Sequence, residues 1–505
     1  MGAKLRISEC ISIASKASAI LCILMAGLVW PRSLQPRDGC FMSSFISPLM
    51  GEENFVFPKE ALPTESGYLT VNATSKARMF YAFYEAIEPT TSIAHTPIIL
   101  WLQGGPGCSS MIGNFYELGP WRVSSDQKLH KNQSPWNQKF GVLFIDSPVG
   151  TGYSIAEKFE DIPVHHNQVA EHLFEALKEF YSSNTDFKNR VLFVTGESYA
   201  GKYVPALGHY ILMKSKMGQT DMMKYEMGLS EDGELNPFDD GGINFPFKLG
   251  GLVIGNGITD PEVQVQSYAN VTYNFGLIDG KQRRYIEEFA EQIVGFIHKQ
   301  QWFDAYQART ALMDWIQNVT GIATLLDMRR SVPYHCSPDG MEFLAPFLNQ
   351  NSVKAALNAE QSTNWVSCNL RVRRAMANDT MKSVKWMVDK ALEEVPVLLY
   401  QGQYDIKDGV VSNEEWMRTL RWGGIGKFFD TERSLWYVGD KLAGYWKSHG
   451  NLSHVVLLGA GHEVPADQSL HSQKMVEKWI AEHLTSSAKV SDTLFQEVAE
   501  PEFKL

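Results

Sequence analysis

Gly196-Glu197-Ser198-Tyr199-Ala200-Gly201 follows directly on the apolar run Arg190-Val191-Leu192-Phe193-Val194-Thr195, and this stretch decides the fold class. The β-branched and aromatic residues of the run predict a buried strand, and helical spacing over 199–216 predicts a helix after it. Small residues between strand and helix allow a sharp turn that lifts Ser198 clear of its neighbours. The N-terminus of the helix then offers N–H groups to a developing oxyanion. Ordinary turns also contain such residues, so the motif needs support from elsewhere in the chain.

The segments around this stretch alternate between strands and helices. A polar, exposed loop is expected over 217–245, and mostly helical periodicity follows from about 260 to 349. A helical block that interrupts a series of strand–helix units predicts a cap inserted into an open, mostly parallel α/β sheet with flanking helices. The predicted strands are residues 77–83, 97–101, 141–145, 190–195, 249–254, 397–400 and 455–458. The predicted helices are residues 166–181, 199–216, 283–300, 302–319, 380–394 and 472–484.

The N-terminus predicts entry into the secretory pathway. Lys4 and Arg6 precede an apolar stretch over 17–30 that is too short to span a bilayer of ~30 Å, which favours a signal peptide. An uncleaved anchor stays open, because no clean cleavage site follows; no later segment resembles a membrane span, so no stable membrane association is expected. The predicted divisions are a signal peptide over 1–30, core over 60–260, cap over 261–375, core over 376–486 and a flexible tail over 487–505.

Composition excludes several functions. With 505 residues, of which 44% are hydrophobic, the chain can bury a large core. A net charge of −11 and a pI near 5.7 argue against nucleic-acid binding. No Cys or His cluster has zinc spacing, so neither a metal nor another cofactor is expected. The cysteines outside the leader, enough for one or two disulfides, are Cys40, Cys108, Cys336 and Cys368.

Candidate N-glycosylation triplets agree with the secretory pathway. Each has the form Asn-x-Ser/Thr, which a chain of this length also produces by chance. Pro135, directly after one triplet, disfavours its first residue, Asn132, as an acceptor. The six candidate acceptors are Asn72, Asn132, Asn270, Asn318, Asn378 and Asn451.

Three segments place candidate catalytic residues beyond the carboxyl ends of predicted strands, where α/β sheets gather their functional side chains. Ser198 follows one strand, Asp405 follows the second in Tyr-Gln-Gly-Gln-Tyr-Asp, and His462 follows the third in Gly-Ala-Gly-His-Glu. A serine hydroxyl needs an imidazole to take its proton, and a buried carboxylate orients that imidazole. The order Ser, Asp, His is that of α/β-hydrolases, and the long first interval accommodates the cap.

Each of these assignments has an alternative. Asp408 is a rival for Asp405, which is otherwise interpreted as a turn cap. His454 is a second candidate base, but it lies inside an apolar run, which favours local packing or hydrogen bonding. His165 and His166 are interpreted as a solvated helix start. A second glycine-rich turn, over 101–110, lacks the features of a phosphate loop and is expected to supply the other oxyanion N–H.

Together these blocks resemble the serine carboxypeptidase family, and in particular the plant serine carboxypeptidase-like proteins. The matching blocks lie at 101–110, 117–120, 146–154, 196–205, 254–257 and 459–465. The resemblance implies an α/β-hydrolase fold with Ser198, Asp405 and His462 as the triad, and with the N–H groups of Gly105 and Tyr199 as the oxyanion hole. It implies that the substrate's C-terminal carboxylate is held by Gln103, Gly104 and Glu197, with Glu117 hydrogen-bonded to Glu197. It also implies a Cys108–Cys368 disulfide and leaves Cys40 and Cys336 without an assigned partner.

Three positions depart from the family's pattern. Gln103 replaces the usual Asn and shifts the amide donor by one methylene, which weakens carboxylate recognition if the shift is uncompensated. Glu463, where some relatives have Met, would favour basic leaving residues by charge complementarity. Gln403 replaces an Asp and touches no assigned role. Some relatives are cut into two chains, which makes Arg329-Arg330 and Arg373-Arg374 candidate processing points, with solvated arginine pairs as the alternative.

The expected function is that of a secreted or vacuolar serine-type carboxypeptidase. Glu117 and Glu197 cannot both ionise cheaply at close range, so they are expected to share a proton and to bind peptides with free C-termini at mildly acidic pH. An acyltransferase with the same triad, which passes the acyl group to an alcohol, is the first alternative. A catalytically idle binding protein is the second. The expected partners are peptide substrates, and the sequence leaves monomer and homodimer open.

Overall fold

Short runs of β-branched, leucine and aromatic residues build the centre of a ten-stranded sheet. Ile98–Leu102, Gly141–Ile145 and Val397–Gly402 are buried along their whole length, as expected for parallel strands that are covered on both faces. The structure is a computed structural model that describes residues 55–72, 74–216, 247–333 and 341–497. The predicted leader, the loop predicted over 217–245, Cys40, Cys336 and the chain end after residue 497 lie outside the described residues.

The sheet is mostly parallel, as predicted. Its strand order is β1-β2-β6-β3-β7-β8-β9-β12-β11-β10, and strands β6, β3, β7, β8, β9 and β12 run parallel to one another. β1 and β2 add antiparallel pairs at one edge, and β11 and β10 add them at the other. β4 and β5 form a separate hairpin. Within the described residues, strands β1 to β12 are Glu65–Asn72, Ala77–Tyr84, Ile98–Leu102, Trp121–Val123, Leu129–Lys131, Gly141–Ile145, Val191–Glu197, Lys248–Gly255, Val397–Gly402, Ser434–Val438, Lys441–His449 and Leu452–Leu457.

Helices cover both faces of the sheet and form the cap. Among the described residues, α1 to α14 are His166–Ser183, Ala200–Lys216, Pro261–Gln264, Tyr268–Asn274, Gly280–His298, Trp302–Thr320, Leu344–Leu348, Asn351–Ala356, Leu370–Ala375, Lys385–Glu394, Val410–Met417, Ile425–Asp430, Val464–Asp467 and Ser469–Glu497. Two clusters of buried apolar side chains fill the two faces of the sheet, and a third lies within the cap around α4, α5 and α6. In the part of the chain that the structure describes, no helix combines the length and apolar character needed to cross a membrane.

Several boundaries differ from the predictions. The last part of the predicted cap, which contains Phe347 and Trp365, does not pack with the cap helices. These two residues belong to the same apolar cluster as Trp101 on the sheet. The helix predicted over 380–394 begins at Lys385, and α14 extends beyond the predicted end at residue 484 into the segment that was expected to be flexible. Strands β1, β10 and β11 were not predicted, because edge strands bury few of their residues and lack a strong apolar pattern.

Candidate active site

Ser198 lies on the sharp turn that its surroundings predict. β7 ends at Glu197, α2 begins at Ala200, and Ser198 between them has φ +60°, a conformation that non-glycine residues adopt at a cost. The turn is held from both sides, because the Ser198 N–H donates to the Gly255 carbonyl at 3.0 Å and the Ser198 carbonyl accepts from Ile258 N at 3.0 Å. Ser198 is partly exposed, whereas Glu197 and Tyr199 are buried. The hydroxyl is therefore presented at the carboxyl end of the sheet.

Asp405 and His462 form a buried pair at the ends of β9 and β12. His462 Nδ1 lies 2.6 Å from Asp405 Oδ2, an arrangement that leaves Nε2 for proton transfer. Asp405 Oδ1 accepts from the N–H of Lys407 at 2.8 Å and from that of Asp408 at 3.2 Å. The Asp408 carboxylate points elsewhere and lies 3.3 Å from Arg309. The geometry therefore favours Asp405 over Asp408 as the partner of the imidazole.

Asn256 connects the serine to the acid–base pair, and the sequence analysis gave it no role. Its amide nitrogen donates to Asp405 Oδ2 at 2.7 Å, and its amide oxygen accepts from Gly402 N at 3.1 Å. Asn256 directly follows Gly255, whose carbonyl anchors Ser198. Asn256 lies in the family-like block at 254–257, so the sequence did single out this segment. Only the fold shows that Asn256 contacts β9 and the acid that follows it.

The glycine-rich turn after β3 lies against the serine. A Cβ atom at Gly104 would come within 2.6 Å of both Ser198 Cβ and Tyr199 N, so only glycine fits there. Within the described residues, neither the Gly105 nor the Tyr199 N–H donates to a protein acceptor. Two unpaired N–H groups beside a nucleophile provide what an oxyanion hole requires.

The turn is tied to the segment that follows the cap. Cys108 and Cys368 form a disulfide across a sequence separation of 260 residues. Backbone hydrogen bonds flank it: Ser109 N donates to Ser367 O at 2.9 Å, and Asn369 N donates to Gly107 O at 2.8 Å. These links fix the glycine-rich turn from outside the sheet.

Gln103 holds two buried glutamates together. Its amide nitrogen donates to Glu197 Oε1 at 2.7 Å and to Glu117 Oε1 at 3.1 Å, while its oxygen accepts from Trp101 Nε1 at 2.9 Å. Burial raises the pKa of Glu117 to about 7. Burial, followed by the charge of Glu117, raises the pKa of Glu197 well above its usual value, and the two carboxyls hydrogen-bond to each other. The extra methylene of Gln103 thus lets one amide reach both acids.

Glu463, which the sequence suggested as a charged group in a substrate pocket, is buried in the structure. Its side chain is buried, and burial, followed by the charges of Glu117 and Asp467, raises its pKa well above the usual value. Its Oε2 has no hydrogen-bond partner among the described residues. Burial favours the protonated form of Glu463 in the free protein, and the expected preference for basic leaving residues stays a prediction.

A buried network supports the Tyr199 side chain. The Tyr199 hydroxyl donates to Asp379 Oδ2 at 2.9 Å, and His166 Nδ1 lies 2.9 Å from Asp379 Oδ1. Burial alone would raise the pKa of Asp379, but the His166 hydrogen bond and the charge of Lys202 lower it overall. The interpretation of His166 as solvated is therefore wrong, since its ring is buried against an acid, whereas the helix does begin at this residue. His165 next to it caps α1 by accepting from Gln168 N.

Other predicted residues lie away from this centre. His454 Nε2 lies 2.5 Å from Gln401 Oε1, and burial lowers the pKa of His454 to about 3, so it packs locally as interpreted. Two predicted glycan acceptors, Asn132 and Asn451, fit poorly, because their amide nitrogens donate to the carbonyls of Gly119 and Leu392. The exposed acceptors are Asn72, Asn270, Asn318 and Asn378. Among the described residues, no group of three or more His, Cys, Asp or Glu is arranged to hold a metal.

The fold and the site together define the class of protein to which this chain belongs. A serine on a strained turn after a central parallel strand, with an Asp–His pair beyond two further strand ends of the same sheet, is the arrangement of α/β-hydrolases. The structure resembles that of a prohormone-processing carboxypeptidase, Kex1Δp, from Saccharomyces cerevisiae, with a TM-score of 0.70 over 85% of this chain and 93% of that one. The two sequences are 24% identical, and this likeness shows the α/β-hydrolase fold.

The sequence comparisons identify the family within this class. Residues 55–482 match the family model described as serine carboxypeptidase, and the chain belongs to this family. "Serine carboxypeptidase-like 50" of Arabidopsis thaliana is 47% identical over 427 residues, which cover 84% of this chain and 89% of that protein. "Probable serine carboxypeptidase CPVL" of Homo sapiens is 33% identical over 436 residues, 84% of each chain. Membership in this family supports peptide hydrolysis from the C-terminus.

Proposed function

We propose that this protein is a serine-type carboxypeptidase that releases C-terminal residues through an acyl-enzyme on Ser198. The observation that carries the proposal is the buried Glu117–Glu197 pair, which Gln103 holds beside the glycine-rich turn after β3. A general esterase has no need of two buried carboxyls that share a proton next to its nucleophile. A protonated carboxyl can donate a hydrogen bond to a substrate's terminal carboxylate, and this selects the end of a peptide chain.

The proposed reaction follows from the positions of these groups. Ser198 Oγ attacks the last peptide carbonyl while His462 Nε2 takes the hydroxyl proton, and Asp405 stabilises the resulting imidazolium. The Gly105 and Tyr199 N–H groups bind the oxyanion. The C–N bond then breaks as His462 returns the proton to the leaving amine, which departs with the last residue. Water, activated by the same imidazole, attacks the acyl-enzyme and regenerates the serine.

The acid pair sets the expected pH dependence. Because burial raises the pKa of Glu117 to about 7 and that of Glu197 well above its usual value, the pair holds a proton at mildly acidic pH. As the pH rises through these values the proton is lost, and two carboxylates then repel a third. Affinity for peptides with a free C-terminus is therefore expected to be highest on the acidic side and to fall towards pH 8.

Paired peptides test this proposal. A peptide and its C-terminal amide are compared from pH 4 to pH 8, together with a second assay in which an activated acyl ester is offered with alcohols. We expect cleavage of the free acid with a KM that rises with pH, and weak cleavage of the amide at every pH. Equal cleavage of both forms at all pH values would contradict the proposal. Dominant transfer to the alcohol would favour the acyltransferase alternative.

We also propose that the protein acts in the secretory pathway, either outside the cell or in the vacuole. The Cys108–Cys368 disulfide supports this compartment, since disulfides persist under oxidising conditions. Four exposed Asn-x-Ser/Thr acceptors agree with it. Treatment of the protein from its native source with an endoglycosidase is expected to lower its apparent mass. An unchanged mass, together with an intact N-terminal leader, would contradict the assignment.

A further inference from the structure

A short segment of the chain passes from the cap over the two loops that carry Asp405 and His462. We call this segment the strap, and its residues are Leu325, Leu326, Asp327, Met328, Arg329 and Arg330. Its backbone bonds to both loops: Ile406 N donates to Leu325 O at 3.0 Å, and Met328 N donates to Tyr404 O at 3.1 Å. On the other side, His462 N donates to Leu326 O at 2.8 Å. The strap therefore bridges the backbones of the acid and the base.

The charged side chains of the strap strengthen the same bridge. Arg329 donates to both oxygens of Asp327, from Nε at 2.9 Å and from one terminal nitrogen at 2.6 Å, and its other terminal nitrogen donates to the Gly459 carbonyl at 2.8 Å. Arg330 donates to Asp467 Oδ1 at 2.9 Å. Asp467 Oδ2 in turn accepts from Gly461 N at 2.7 Å. Both arginines are therefore bound to the loop that holds the catalytic histidine.

The contact between strap and histidine loop is close. A Cβ atom at Gly461 would lie 2.5 Å from Asp327 Cβ and 2.7 Å from Leu326 O, so any side chain there would push the strap away. The Arg329 guanidinium also stacks 4.4 Å from the ring centre of Tyr404 on the acid loop. Asp327 itself is buried. These contacts leave little freedom for the two loops to shift relative to each other.

The contacts of Arg329 are expected to matter more for the positions of the catalytic groups than for the free energy of unfolding. Partly exposed ion pairs add little to the free energy of unfolding, and the Arg329 side chain is 38% exposed. A displacement of about 1 Å in a catalytic group, by contrast, lowers turnover by as much as ~10²-fold. An arginine that holds two catalytic loops in register therefore affects turnover more than it affects folding.

We propose that the strap is a positioning element for the Asp405–His462 pair, with Asp327 and Arg329 as its positioning residues. The inference rests on the proposed hydrolase function and deepens it. It also assigns Arg329-Arg330 a structural role in the active enzyme in place of a processing point. Cleavage between these two arginines would separate the Leu326–His462 contact from the Arg330–Asp467 pair and would loosen the base.

Substitutions at Arg329 test this role, with Arg283→Ala as the matched control. Arg283 forms an i,i+4 ion pair with Glu287 on cap helix α5 and touches neither catalytic loop. We expect Arg329→Ala to lower kcat by ~10- to 100-fold while KM changes by less than about twofold and Tm stays close to that of the control. Arg329→Lys keeps one charge contact and is expected to recover part of kcat. If Arg329→Ala does not fold, Gly461→Ala is measured instead, with the same loss of kcat expected.

The outcomes separate this inference from the function on which it rests. An inactive wild-type enzyme would refute the hydrolase function, whereas an active wild type with undiminished kcat in Arg329→Ala would refute the strap alone. Trypsin treatment of the folded enzyme provides a second measurement. We expect the bond between Arg329 and Arg330 to resist cleavage and, once cut, to leave a chain with much reduced kcat. Full activity in a chain cut at this bond would overturn the proposal.

Discussion

The two halves of the proposed catalytic centre are held in different ways. Ser198 lies on a turn between β7 and α2 and is fixed by the neighbouring strand through Gly255. His462 lies on a loop after β12 and is fixed from outside the sheet by the cap through Leu326. The proposed nucleophile is therefore positioned mainly by local sequence and the core, and the proposed base is positioned by a contact between distant segments. Substitutions that separate these two kinds of support should have different effects.

The largest effect is expected at the locally supported half. Ser198→Ala removes the nucleophile and should lower kcat by about 10⁶-fold without changing Tm, since the turn does not depend on the hydroxyl. Ser215→Ala, at an exposed position on helix α2, is the control and should keep full activity. Hydrolysis of a free-acid peptide measures both. Residual activity above about one per cent in Ser198→Ala would place the nucleophile elsewhere.

The second-largest effect is expected at Asp405, in the half of the centre that the cap supports, and the neighbouring Asp408 serves as the comparison. Asp405→Asn should lower kcat by about 10⁴-fold, because an amide cannot hold His462 in the correct tautomer or stabilise its cation. Asp408→Asn should keep kcat within about threefold but lower the free energy of unfolding by about 3 kcal/mol, since it leaves the buried Arg309 unpaired. Steady-state kinetics and urea unfolding separate these outcomes. A loss of kcat in Asp408→Asn as large as that in Asp405→Asn would contradict the assignment.

The same contrast explains how much of the structure of each half could be predicted from the sequence. The strand, turn and helix around Ser198 depend on adjacent residues, and they were predicted within a few positions. The Tyr199–Asp379 contact joins residues 180 positions apart, and the strap depends on contacts between the cap and two loops. No local pattern encodes these contacts. His166 was misinterpreted for this reason, because its partner Asp379 is 213 positions away.

A smaller effect is expected at the acid pair beside the serine. Glu197→Gln removes the proton that is lost as the pH rises, so the KM for a free-acid peptide should depend less on pH between 6 and 8. Because the pKa of Glu117 is raised to about 7 and that of Glu197 is raised well above its usual value, the wild-type KM should be clearly higher at pH 8 than at pH 6. The variant should lose most of this difference. An unchanged pH profile would exclude the acid pair as its source.

The smallest effect is expected behind the oxyanion hole. Tyr199→Phe breaks the hydrogen bond to Asp379 and should lower kcat by about fivefold through a slight shift of the Tyr199 N–H, with KM unchanged. Tyr181→Phe is the matched control, since its hydroxyl is buried and has no hydrogen-bond partner among the described residues. Equal kcat values for the two variants would remove Asp379 from the support of the oxyanion hole.

The central claim is that Ser198 is the nucleophile activated by His462 and Asp405. Its most direct test is to react the folded protein with a fluorophosphonate and to locate the adduct by peptide mass spectrometry. The predicted result is a single adduct on Ser198 that forms in the wild type and is largely lost in His462→Ala. An adduct on another residue, or no adduct on correctly folded protein, would contradict the claim.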